Sequence, residues 1–155
     1  LKNPFLNIAS GCVPQWVSGV LSPKSGPTGF LQRHLIVSPL DKPNLDPCPT
    51  PLADSLIQDL HNDLNRIRMV KGEFGLSQSY REEYTVWYEK FLSSLGGKDD
   101  SAYSILTRYA DYVLKLSLID HIASENIGYE LGPEVLRPAC TVVEDAWSGI
   151  KACQK

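Results

Sequence analysis

The spacing that holds a metal or marks a redox pair is missing from this sequence. Its four cysteines, Cys12, Cys48, Cys140 and Cys153, form no C-x-x-C pair and share no close cluster with a histidine. That excludes a zinc site of ordinary spacing and leaves the cysteines as cytosolic thiols, buried or inert. No apolar run approaches the roughly 20 residues a membrane helix needs, and no signal-peptide pattern opens the chain. The expectation is a cytoplasmic protein with no membrane partner. Phosphate-cradling sequence is absent too. Gly96-Gly97-Lys98-Asp99 lacks the earlier glycine of a Walker A loop and carries Asp where Ser or Thr would follow the Lys, so it reads as a helix-stopping turn. There is no strand ending in an acidic pair, no G-x-S-x-G elbow, no internal repeat and no low-complexity tract. On its own the chain is expected to hold no cofactor and to show no enzymatic activity.

Proline is nearly absent from the last two thirds. Nine of the 11 prolines lie at or before Pro51, and only Pro133 and Pro138 follow. The 155 residues make one domain of ordinary size, 43% hydrophobic and 21% charged, which suits a folded core. They divide into a strand-and-loop segment, 1–50, and a helical block, 51–155. Charge divides at the same place. Residues 1–50 carry four basic and two acidic residues, and 51–155 carry 11 basic and 16 acidic. A block with that excess of carboxylates is a poor footprint for direct DNA binding. The chain opens Leu1-Lys2-Asn3-Pro4 and is expected to be a piece of a longer protein.

Periodicity predicts the elements. Residues 5–9 and 30–37 read as short strands, separated by an apolar helix from Val13 to about Leu21 and a Gly/Pro loop. A Pro-rich connector runs from Pro39 to Pro51. Leu52, Leu56, Leu60, Leu64 and Ile67 fall on one face of a helix over 52–69. Ser77 caps a helix over 78–95 that carries Tyr80, Tyr84, Trp87, Phe91 and Leu95. A helix over 99–123 has a wide apolar face of Ile105, Tyr109, Tyr112, Val113, Leu116 and Ile119. A short extended piece is expected near Ile127–Leu131. The last helix, 133–151, opens at Pro133, with Pro138 kinking it or marking its true start. The fold class is therefore mainly α, a bundle of four to five helices with one or two short N-terminal strands. Trp87, Phe91, Leu116, Val143 and Trp147 are expected in its core.

Chemistry-bearing residues are few. His121 and Glu125, four apart on a helix, read as a surface pair, and His61 beside Asp63 as a solvated face. Two arginines stand apart. Arg33 lies between Gly29-Phe30-Leu31-Gln32 and His34-Leu35-Ile36-Val37, and Arg108 interrupts the apolar run Ser104 to Ala110. A cation in such a setting needs solvent, a carboxylate or an anionic ligand.

Taken in order, these pieces resemble a family of unknown function (family number 3987) found in primase-helicase-like proteins of plasmids, phages and genomic islands. The resemblance is carried by Phe5–Ala9 with Gly11 and Pro14, then Gly29-Phe30-Leu31-Gln32-Arg33, then Leu76-Ser77-Gln78-Ser79-Tyr80 before a Trp-bearing helix. Thr107-Arg108, Leu114 to Ile119 and the helix with Pro133-Glu134-Val135-Leu136 complete it. It implies the last strands and helical C-terminal part of a RecA-like or AAA-type ATPase core, used in DNA replication of a mobile element. ATP and Mg2+ would then belong to the parent protein, and the partners would be the rest of that ATPase domain or a neighbouring subunit, with DNA reached through the parent. Ser10 would take a sensor place, Arg33 that of an arginine finger, and Arg108 that of a phosphate sensor on the helical lid. The competing expectation is a non-catalytic helical module that binds another protein. In an ATPase fragment both arginines would share an exposed rim without carboxylate partners. In an interaction module each would sit in a local ion pair.

Overall fold

The computed structural model describes residues 33–37, 48, 50–94, 100–124 and 128–153. The described chain is mainly helical: α1 (Asp54–Met69), β1 (Gly75–Leu76), α2 (Gln78–Ser93), α3 (Asp100–Ala123), β2 (Glu130–Leu131) and α4 (Leu136–Cys153). The helical block stands where periodicity puts it. The two strands do not lie at the N-terminus. They form a small parallel pair, with Gly75 opposite Glu130 and Leu76 opposite Leu131. The expected extended piece near 127–131 is one half of that pair. The expected strand 5–9 and helix 13–21 lie outside the described residues.

Residues 33–37, the described part of the other expected strand, form no strand: Arg33 has a 3-10 conformation and 34–37 are irregular. The reason is a side chain. The Tyr109 hydroxyl donates to the His34 carbonyl at 3.1 Å and accepts from the Ile36 N–H at 3.4 Å. Those backbone groups meet a phenol instead of a neighbouring strand.

Helix boundaries follow local chemistry. Ser77 accepts from the Tyr80 N–H at 3.1 Å, an N-cap that fixes the start of α2. Pro138 falls in the first turn of α4, where its missing N–H costs nothing, so it marks the start and does not kink the helix. Between α1 and β1, Gly72 adopts φ +138°, and a Cβ there would stand 2.8 Å from Tyr129 Cε1. Only glycine fits that approach.

The core lies between α3 and α4. Leu106, Tyr109, Ala110, Val113 and Ser117 make a buried line on α3, facing Leu136, Ala139, Cys140, Val143, Ala146 and Trp147 of α4. α2 covers one side with Tyr80 and Phe91. Tyr80 hydroxyl donates to Ser117 Oγ at 2.9 Å inside this core, so neither polar group is buried without a partner. Phe91, Val143 and Trp147 are buried as expected, while Trp87 and Leu116 are only half-buried. Trp87 stays near the surface because its indole N–H reaches Glu144 on α4, 2.7 Å away. Ile119, on the expected apolar face of α3, is exposed, and so is Val142 on α4. No helix among the described residues is long and apolar enough to cross a membrane.

Candidate functional site

The amphipathic face of α1 points into water. Leu56, Ile57, Leu60 and Leu64 are 54%, 53%, 59% and 57% exposed, and Leu52 just before the helix is 68% exposed. No residue of α1 is buried. Full burial of one such side chain is worth about 1.5–3 kcal/mol, and much of that is unrealised here. Contiguous exposed apolar stripes are a feature of protein interaction surfaces. Helical spacing predicts the stripe, and its usual reading is core. Its exposure could not be read from spacing, because spacing does not say what lies opposite.

α1 is joined to the rest of the described protein at its C-terminal end. Arg66 donates to the Ile122 carbonyl at 3.2 Å and the Ala123 carbonyl at 3.3 Å. A guanidinium there meets carbonyls that the end of α3 leaves unsatisfied, at the negative end of the helix dipole. Asp63, at 3.8 Å, leans on the same arginine. Beside this joint lies a cavity of about 230 Å³ lined by Arg66, Met69, Val70, Phe74, Ile122 and Tyr129 together with Gly128. Tyr129 closes the far side and donates to the Lys71 carbonyl at 3.1 Å.

His121 supports the joint from within. It is 3% exposed, and its Nε2–H donates to the Gly128 carbonyl at 2.7 Å. Phe74 stands edge-on to its ring, with centroids 5.8 Å apart. The expected surface pair with Glu125 is therefore corrected as far as His121 is concerned: the imidazole is buried. It holds the Gly128 carbonyl, just before β2. His61, in contrast, is exposed on α1 as expected.

Ser10 lies outside the described residues. Arg33 is exposed, and Leu35 and Ile36 pack against the core where Tyr109 bonds their backbone. Arg108 directly precedes Tyr109, so the chain brings the Arg33 segment to the stretch of α3 that carries Arg108. Arg108 is exposed and lies 3.8 Å from Asp111, one turn along the helix. An exposed pair of that kind contributes little to stability, yet it supplies the local carboxylate that an unpartnered phosphate sensor would lack. Among the described residues, no group of three or more His, Cys, Asp or Glu side chains is placed to hold a metal ion.

A thiol and several phenols sit in the core. Burial, reinforced by nearby Glu144, pushes the Cys140 thiol up to about 12, so it stays protonated and unreactive at neutral pH. Burial likewise raises Tyr109 to about 12, against the opposing hydrogen bond with the Ile36 backbone. Tyr84 rises further for the same reason. These are packing groups and none is tuned for proton transfer near neutral pH.

Comparison with known proteins adds no relative. No family model matches the chain, and no curated protein and no solved structure matches it.

Proposed function

We propose that this chain is a non-catalytic helical interaction module, in which the α3–α4 core with α2 forms the body and α1 presents the binding face. The observation that carries this reading is the exposed stripe Leu56, Ile57, Leu60 and Leu64. The local ion pair of Arg108 with Asp111 supports it as well. The occupant that fits such a stripe is a second amphipathic helix, because ridges of leucine pack into grooves of the same spacing.

The reading as the C-terminal part of a mobile-element ATPase, with Arg33, Ser10 and Arg108 near a nucleotide held by the parent, is supported by motif order alone. Nothing in the geometry of the described residues favours it over the interaction module.

The test is Leu60→Glu together with Leu64→Glu in the whole chain. If the stripe serves a partner, the melting temperature of the isolated chain at high dilution should move by no more than about 2 °C, as for a surface change. A fall of many degrees would show that the stripe packs against its own chain, and the interaction reading would be lost.

A further inference from the structure

The occupant of the α1 face can be named from the distribution of charge along its edge. Ile57 and Leu64 are seven residues apart, and so are Leu60 and Ile67, which makes a two-heptad apolar seam over Ile57–Leu60–Leu64–Ile67. Three of these four side chains are exposed, and Ile67 is half-buried at the joint. Asp54, His61 and Arg68 are also seven apart, so they share one line along the border of the seam. That line is acidic at the start of the helix and basic at its end, with His61 midway.

We propose that α1 pairs with α1 of a second copy of this chain, antiparallel, across a two-fold axis at the level of His61. Asp54 and Arg68 are equidistant from that axis. The two-fold therefore sets Asp54 of each copy beside Arg68 of the other, two opposite-charge pairs from one edge. The seam pairs Ile57–Ile67 and Leu60–Leu64 are centred one residue further on, at Asn62, so the same rotation brings the members of each pair to within about 3 Å of one another along the helix axis. It also opposes the two helix dipoles, which an antiparallel pair favours. Asp63, on the other border, is 3.8 Å from Arg66 of its own helix, so its charge is already partly met. The attachment of α1 at its C-terminal end, through Arg66, puts the two bodies at opposite ends of the helix pair, clear of each other. The proposal rests on the interaction-module reading and specifies its partner.

Sedimentation equilibrium of the whole chain tests it. The wild type should show a monomer–dimer equilibrium, with a limiting mass of twice 17.2 kDa. Leu60→Glu should sediment as a monomer with an unchanged melting temperature at high dilution. Asp54→Lys should weaken dimerisation about ten-fold, because two attractive pairs become repulsive. Asp54→Lys with Arg68→Glu should restore it, because both pairs are re-formed with reversed signs. A monomeric wild type at all concentrations, with Leu60→Glu still thermally neutral, would overturn self-pairing and leave the interaction module standing. A monomer that Leu60→Glu destabilises would overturn both. A dimer indifferent to Asp54→Lys would overturn the antiparallel arrangement.

Discussion

At the scale of single residues, the phenol of Tyr80 does the most for its size. It joins α2 to α3 through Ser117 Oγ, with both groups shut away from water. Tyr80→Phe leaves the serine hydroxyl buried without that partner, which should cost roughly 1–3 kcal/mol. Ser117→Ala in the same background removes the stranded group and should recover part of the loss. Chemical denaturation of the four proteins of this cycle measures the coupling. A double mutant as unstable as the two single losses added together would mean that the bond contributes nothing. A tyrosine spaced with Tyr84, Trp87 and Phe91 is legible as a core residue. That its hydroxyl finds Ser117 is not, because 37 residues separate them and only the approach of α2 to α3 brings them together. The same holds for His121. Sequence offers Glu125 four residues away, whereas the buried ring bonds the backbone of Gly128.

At the scale of elements, the hydrogen bonds that join α1 to α3 among the described residues come from one side chain. Arg66 reaches two carbonyls at the end of α3, and the apolar stripe adds little burial along the rest of the helix. Arg66→Ala should therefore loosen α1 while the body keeps its fold. Limited proteolysis should cut faster between Met69 and Phe74, and the main thermal transition should move by only a few degrees. An unchanged cleavage rate would show that α1 is held by other contacts. Helix positions were legible here because strong periodicity, the Ser77 cap and Pro138 punctuate the chain. The strands were harder. β1 and β2 are each two residues long, too short to alternate, and β1 includes Gly75, which reads as a breaker. The candidate nucleotide residues were singled out by motif: Arg108 lies beside Asp111, Arg33 is exposed and outside any described strand, and Ser10 lies outside the described residues.

At the scale of the whole molecule, the fully buried phenols of Tyr80 and Tyr109 and the partly buried ones of Tyr84 and Tyr112 set the response of the core to alkali. Tyr109 is raised from 10.0 to about 12, and Tyr80, Tyr84 and Tyr112 are raised as well, in each case chiefly by burial. The unfolded chain releases these protons near pH 10 and the folded chain holds them longer. The stabilisation is thus complete below pH 10 and is lost as pH climbs through the folded values. Urea midpoints should be flat for these groups up to about pH 9.5 and should fall steeply above it. Tyr109→Phe should make that fall shallower. A midpoint that is level from pH 10 to 12 would show that the phenols ionise as freely in the folded chain as in water.

The parallel pairing of Gly75–Leu76 with Glu130–Leu131 carries a kinetic consequence. Its bonds, Gly75 N–H to the Tyr129 carbonyl at 2.7 Å and Ser77 N–H to the Leu131 carbonyl at 3.0 Å, span α2 and α3 entirely. Closing so long a loop is entropically uphill until both intervening helices have settled. The pair is thus a latch that sets last: Leu76→Ala should hasten unfolding and leave the refolding rate almost untouched in stopped-flow traces.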